Sequence, residues 1–193
     1  MGTFTAIDFE TANGARASAC SIAAVVMDES GQVLATRSDL LRPLSGHDWF
    51  AARNIDIHGI TPAMVADSPT WDELVDDYLD LIGAGPVVAH NMAFDASVWD
   101  AMAAEIGTPT LDAPRLCTYR TAATLLGWPR GTMKLDMVHR HYFPGRTFTH
   151  HRADADALAC AQILLAQMAE AGFDLAWMVE NRATARRPRG PRW

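Results

Sequence analysis

An α/β layer built on a mixed sheet is the fold class this 193-residue sequence predicts, and three observations carry it. Three β-patterned segments lie together before residue 44. From about residue 68 onward, helical stretches alternate with short apolar ones. No internal repeat and no linker divides the chain, and a hydrophobic content of 49% suits one domain with a proper core.

Taken in order, TFTAIDFE mixes β-branched and aromatic residues and reads as a strand running into its first acids. SACSIAAVVMD and QVLATRSDLLRP follow as strands two and three of a hairpin, with ESG turning between them. A loop is expected from there to about residue 60. SPTWDELVDDYLDLIG reads as a helix. Pro69 sits near its start, Thr70 and Glu73 have capping-box spacing, and Leu74, Tyr78, Leu81 and Ile82 form an apolar stripe. GPVVAH is a short buried strand, and MAFDASVWDAMAAEIG a helix ending at Gly107. RLCTY is expected as a fifth strand and TAATLLG as helix. After KLDMVHRHY, a long helix runs from about Ala153 to Ala171.

Composition removes several classes of function. No run of 18 apolar residues is present, so nothing is expected to span a membrane. The N-terminal stretch MGTFTAIDFE lacks the basic and apolar regions of a secretion signal. Cys20, Cys117 and Cys160 form no CxxC pair, which argues against a zinc site and for buried thiols in a reducing, cytoplasmic setting. The net charge is −7, and it is uneven: the last twelve residues, RATARRPRGPRW, hold five arginines and no acid. An acidic body does not favour broad phosphate binding, so nucleic acid would have to be gripped locally. Residues 181–193 are expected as an Arg/Pro-rich tail, solubilising or loosely phosphate-binding, beyond a domain of residues 1–180.

Asp8 and Glu10 stand at i and i+2 of the first strand, so both carboxylates leave one face while Phe9 turns to the other. A lone DxE is more often two solvated acids; here it interrupts an apolar and central strand. His90 and Asn91 close the fourth strand, Asn91 as N-cap of a helix that carries Phe94 and Asp95. Asp95 complements the helix dipole, but it also follows a strand's carboxyl end, where α/β sheets build their sites. His90 reads as a hydrogen-bonded structural histidine. In THHRADADALACA, Asp154 and Asp156 lie about 200° apart around a helix, so they cannot face one point. Asp156 is in phase with Cys160 and Ile163 towards the sheet, whereas Asp154 looks outward. His151 sits just before this turn within reach of whatever Asp156 holds; a surface role is the default for His150.

Brought into one cleft, Asp8, Glu10, Asp95 and Asp156 would repel one another. At about 5 Å each like-charge pair costs on the order of 3 kcal/mol with an effective dielectric near 20. Such a cluster protonates or separates unless cations neutralise it. All-oxygen ligands without cysteine select hard ions, Mg²⁺ or Mn²⁺, and two of them about 4 Å apart form a clamp for in-line displacement at phosphorus. A general base titrating near neutral pH completes the requirement, and histidine supplies it.

FTAIDFETAN, VVAHNMAFD and HHRADADALA, in that order, resemble the three motifs of the DnaQ-like (DEDDh) 3′–5′ exonucleases, and IHGIT at residues 57–61 matches the segment between the first two. The resemblance runs from about residue 3 to 170 and implies a ribonuclease H-like fold, a five-stranded mixed sheet flanked by helices. It assigns Asp8, Glu10 and Asp156 to a first divalent cation, Asp8 also to a second, and Asp95 to the second directly or through water. It makes His151, five residues before Asp156, the base that activates the attacking water. His58, the backbone around Thr11 and Ala12, and Asn91 would contact the terminal nucleotide, with Ile60 and Phe94 packing on its base or sugar. The implied partners are 3′ ends of single-stranded DNA or RNA; a homodimer and a polymerase or replication/repair partner stay open. No attached polymerase, helicase or nuclease domain and no clamp-docking peptide is expected. A catalytically silent nucleotide-binding or scaffold module is the competing reading, and retention of all four acids and the histidine argues against it.

Overall fold

A computed structural model of the protein describes residues 2–129 and 131–181, so nearly all of the expected Arg/Pro tail lies outside the described residues. The hairpin forms where β-branched and small apolar residues alternate. Strands β1 (Thr3–Thr11), β2 (Ala19–Asp28) and β3 (Val33–Leu40) pair antiparallel in sequence. β4 (Val87–Ala89) and β5 (Arg115–Cys117) then join the other side of β1 in parallel, which gives the order β3-β2-β1-β4-β5. The mixed five-stranded sheet flanked by helices is the architecture the sequence predicts.

Alternation along β1 decides where the site falls. Ile7 and Phe9 face a layer that contains α3 (Trp71–Ile82) and α4 (Met92–Ile106). Phe9 packs edge-on against Trp71 and Trp99, with ring centroids 5.9 and 6.3 Å away. Phe4 and Ala6 face the opposite layer, formed by α5 (Thr118–Leu126), α6 (Leu135–Tyr142), α7 (Ala153–Ala171) and α8 (Leu175–Glu180). Asp8 and Glu10 continue that second row. The buried face of α7 is rich in small side chains, Ala153, Ala157, Cys160 and Ala161 among them. Such a face lets the helix lie close on β1 and β2.

Most elements stand where the sequence places them. Glu73 accepts the backbone N–H of its cap Thr70 at 2.7 Å, so the capping box is formed. Three differences have physical reasons. The expected loop to residue 60 contains α1 (Ala52–His58), and α2 (Pro62–Val65) follows it; α1 buries no residue, so no apolar stripe announces it. Strand β5 stops at Cys117, and the Thr118 and Tyr119 assigned to it already belong to α5. Asn91 is the N-cap of α4 by position, but its backbone is left-handed at φ 83° and its side chain makes no capping bond. Among the described residues, no helix is long and apolar enough to cross a membrane.

Candidate active site

At the carboxyl end of β1, Asp8, Glu10 and Asp156 offer oxygens that all lie within 4.8 Å of one another. Two come from the strand's alternation, and the third is delivered by the first turn of α7. Asp156 is only 3% exposed. It is held by the His151 backbone N–H at 2.9 Å and by His150 Nδ1, 3.0 Å from both of its oxygens. Asp95, in the first turn of α4, is 2% exposed and lies outside this tight group. Its Oδ1 accepts the Phe9 backbone N–H at 3.1 Å, which ties α4 to the strand between the two acids. The same residue therefore anchors β1 by its ring and Asp95 by its amide.

The carboxylates resist ionisation. Burial pushes Asp8 well above the usual carboxylate range, and the charges of Asp95, Asp156 and Glu10 push it further. Glu10 is raised to about 8, by burial first and by Asp156 next. Burial also raises Asp95, against the Phe9 amide and the Arg16 charge. Oxygen donors crowded this closely, with no thiolate among them, fit hard divalent cations, which would replace the bound protons.

A linkage effect follows, and its sign is fixed by these shifts. Glu10 and Asp95 bind more protons folded than unfolded, so the metal-free protein loses stability as pH rises towards their folded values. Between pH 7 and 8, above the ordinary histidine value, Glu10 alone is worth about 1 kcal/mol, or roughly 2–4 °C in midpoint for a chain of this size. Thermal melts in chelator should show that fall, and millimolar Mg²⁺ or Mn²⁺ should abolish or reverse it. A midpoint that rises over this interval without metal would contradict the carboxylate cluster.

The two adjacent histidines separate by environment. His150, given a surface role from the sequence, is instead drawn in by Asp156, and that hydrogen bond raises its pKa. The side chain of His151 is 41% exposed, with Nδ1 3.9 Å from Glu10 Oε1. Its backbone is left-handed at φ 66°, which turns the amide to Asp156 and leaves the ring at the mouth of the cluster. Burial and the neighbouring His150 lower its pKa, so the neutral, proton-accepting form prevails at neutral pH. His90 is structural, as expected: Nε2 donates to the Met133 carbonyl and Nδ1 accepts from Thr118 Oγ1, both at 2.8 Å.

Of the residues assigned to substrate, some are exposed and others are committed to the fold. Asn91 is exposed and Phe94 is half-buried at the rim. Ile60 is buried with Ala12, Cys20 and Val65. The Thr11 carbonyl accepts Asn54 Nδ2 at 2.7 Å and His58 Nε2 at 3.2 Å, and the Ala12 carbonyl accepts the Ala51 amide at 2.9 Å. Gly59, at φ 75°, turns the chain so that the Ile60 amide donates to His58 Nδ1 at 3.0 Å. His58 is therefore the neutral Nε2–H tautomer, and burial lowers its pKa. A cavity of about 370 Å³ joins His58, Gly59 and Ile60 to His151 across Ser21 and Ser38. The grip of His150 on Asp156 escapes sequence reasoning, since two neighbouring histidines carry no local mark of which ring turns inward.

A family model described as an exonuclease, RNase_T, matches residues 5–164. Among curated proteins, the PolC-type DNA polymerase III of Clostridium perfringens is 34% identical over 109 residues, 56% of this chain and 7% of that protein. DNA polymerase III subunit epsilon of Escherichia coli is 29% identical over 116 residues, 57% of this chain and 46% of that protein. The chain thus spans less than half the length of these relatives. A solved structure of exonuclease X in complex with 5′ overhanging duplex DNA is 26% identical, with a TM-score of 0.72 over 92% of this chain and 98% of that one. The nuclease domain of 3′hExo, a DEDDh family member bound to rAMP, shares the fold at a TM-score of 0.74 and 16% identity, over 90% of this chain and 94% of that one. A structure of exonuclease I shares it at 0.76 and 18% identity, over 94% of this chain and 44% of that one. The sheet and its flanking helices are those of ribonuclease H-like exonucleases.

Proposed function

The chain belongs to the RNase_T exonuclease family, of the DnaQ-like (DEDDh) type its motifs resemble, and from that premise we propose that it hydrolyses the terminal phosphodiester at 3′ ends of single-stranded DNA or RNA, releasing nucleoside 5′-monophosphates. The observation that carries this reading is the convergence of Asp8, Glu10 and Asp156 beneath the exposed ring of His151. Residues 1–180 form the catalytic domain in this reading.

Asp8, Glu10 and Asp156 would hold one divalent cation, Mg²⁺ or Mn²⁺, and Asp8 with Asp95 a second. When bound, these ions supply positive charge for the oxygens on the phosphorus in flight and for the leaving group. The residues of the chain do the rest. His151, neutral and at the mouth of the cluster, accepts the proton of the attacking water. The water oxygen bonds to phosphorus as the bond to the 3′ oxygen of the penultimate nucleotide breaks, and that oxygen takes a proton from solvent. His150 and the His151 amide keep Asp156 oriented. Phe94 and the exposed Asn91 border the terminal nucleotide on one side, with His58 and Ile60 on the other, and Thr11 and Ala12 shape the floor.

Placement of a single phosphorothioate tests polarity. A substitution that slows hydrolysis at the last 3′ linkage should stall degradation, whereas the same group at the first 5′ linkage should leave early release unchanged. A stall from the 5′ position alone would overturn the proposed direction. A catalytically silent module would degrade neither strand.

A further inference from the structure

Arg16 is an exposed guanidinium beside a site of four carboxylates, and its place is built rather than incidental. The loop between β1 and β2 is framed by Asn13, which is buried and donates through Nδ2 to the His47 and Trp49 carbonyls at 2.9 and 2.7 Å. Asn13 Oδ1 accepts the Ala15 amide at 2.8 Å, and the buried Ser18 hydroxyl donates to the Ala15 carbonyl at 2.7 Å. This frame carries Arg16 to the rim of the site, where its guanidinium carbon lies 4.4 Å from the centroid of the Phe94 ring. Other arginines near acids are spent on them: Arg37 on Asp39 and Asp77, Arg115 on Asp100, Arg152 on Asp154. Arg16 has no carboxylate at ion-pair distance among the described residues, in a chain of net charge −7. Its charge acts on Asp95, the residue after Phe94, without an ion pair, and it stands apart from the tight group of Asp8, Glu10 and Asp156. Phe94 packs on the α3–α4 layer, whereas Asp8 and Glu10 point to the α7 layer across the strand ends.

We infer that Arg16 binds a backbone phosphate of the nucleic-acid strand other than the one being hydrolysed, with the Phe94 ring holding its guanidinium in place for that contact. The inference rests on the exonuclease reading. A planar guanidinium offers two parallel N–H donors to phosphate oxygens, and one face remains stacked while it does so. The consequence is a preference for a strand over an isolated phosphodiester.

The test compares the Mg²⁺-loaded protein with Arg16→Ala and Arg16→Lys on two substrates. One is an oligothymidylate of ten units; the other is the p-nitrophenyl ester of thymidine 5′-monophosphate, which has only the scissile phosphate. Arg16→Ala should lower kcat/KM on the strand relative to the ester by roughly 10- to 100-fold, the worth of one charge-assisted hydrogen bond. Arg16→Lys should recover part of that ratio. Binding of a fluorescein-labelled strand, with Ca²⁺ replacing Mg²⁺, should lose about 0.7 from the slope of log affinity against log salt in Arg16→Ala. Equal losses on strand and ester, or an unchanged salt slope, would overturn the assignment. Should the wild type cleave neither substrate, the exonuclease reading fails, and the salt slope still decides the role of Arg16.

Discussion

Asp8→Asn is expected to lower turnover by roughly 10³-fold or more and, at pH 8 without metal, to raise the thermal midpoint. Both effects come from the same crowding. Asp8 is the acid whose field includes all three of its partners, Asp95, Asp156 and Glu10, and burial adds to their repulsion. In the proposed mechanism it is the ligand shared by both cations. Metal ions contribute several kcal/mol of charge stabilisation to displacement at phosphorus, and each 1.36 kcal/mol is tenfold in rate. Removing the shared charge therefore costs on the order of 10³-fold. The asparagine keeps the side-chain shape and removes a buried anion that metal-free protein must otherwise protonate. Steady-state kinetics in Mg²⁺ and melts in chelator measure the two effects. Near-normal turnover would refute the ligand assignment; a midpoint that drops sharply at pH 8 would show that Asp8 is structural.

His151→Ala should lower the rate by roughly 10²–10⁴-fold, the usual worth of a general base, with little change in midpoint because the ring is largely outside the core. His150→Ala should cost less, at most roughly 10- to 100-fold, the worth of one hydrogen bond to a charged partner, since Asp156 retains the His151 amide. The rings are stacked 3.8 Å apart, so the contrast depends on which one carries the proton. His150 is favoured as the cation by Asp156, and His151 as the neutral ring. If His150→Ala proves the more damaging, the base is His150 and the third motif is shifted by one residue.

Legibility in the sequence followed the strength of local pattern. The Asp8–Glu10 pair shows in β1 because a period of two fixes both side chains to one face. The inward turn of Asp156 shows because Cys160 and Ile163 continue its row along α7. The capping box at Thr70 and Glu73 marks α3 to the residue. What stayed hidden had no periodic signature. The helix α1 buries nothing, so its composition reads as loop. The left-handed backbones of Asn91 and His151 are imposed by packing on non-glycine residues, which propensity does not foresee. The contact of Arg16 with Phe94 joins segments distant in sequence, and only the pairing of β1 with β4 brings them together.

The most direct measurement follows 5′-labelled single-stranded DNA and RNA of one sequence on a gel, with Mg²⁺, with Mn²⁺ and with chelator, alongside the Asp156→Asn protein. The proposed function predicts a metal-dependent ladder that shortens one nucleotide at a time from the 3′ end and is absent in the variant, with the faster ladder naming the preferred polymer. Intact strands with either metal on either polymer, or an equal ladder from Asp156→Asn, would contradict it.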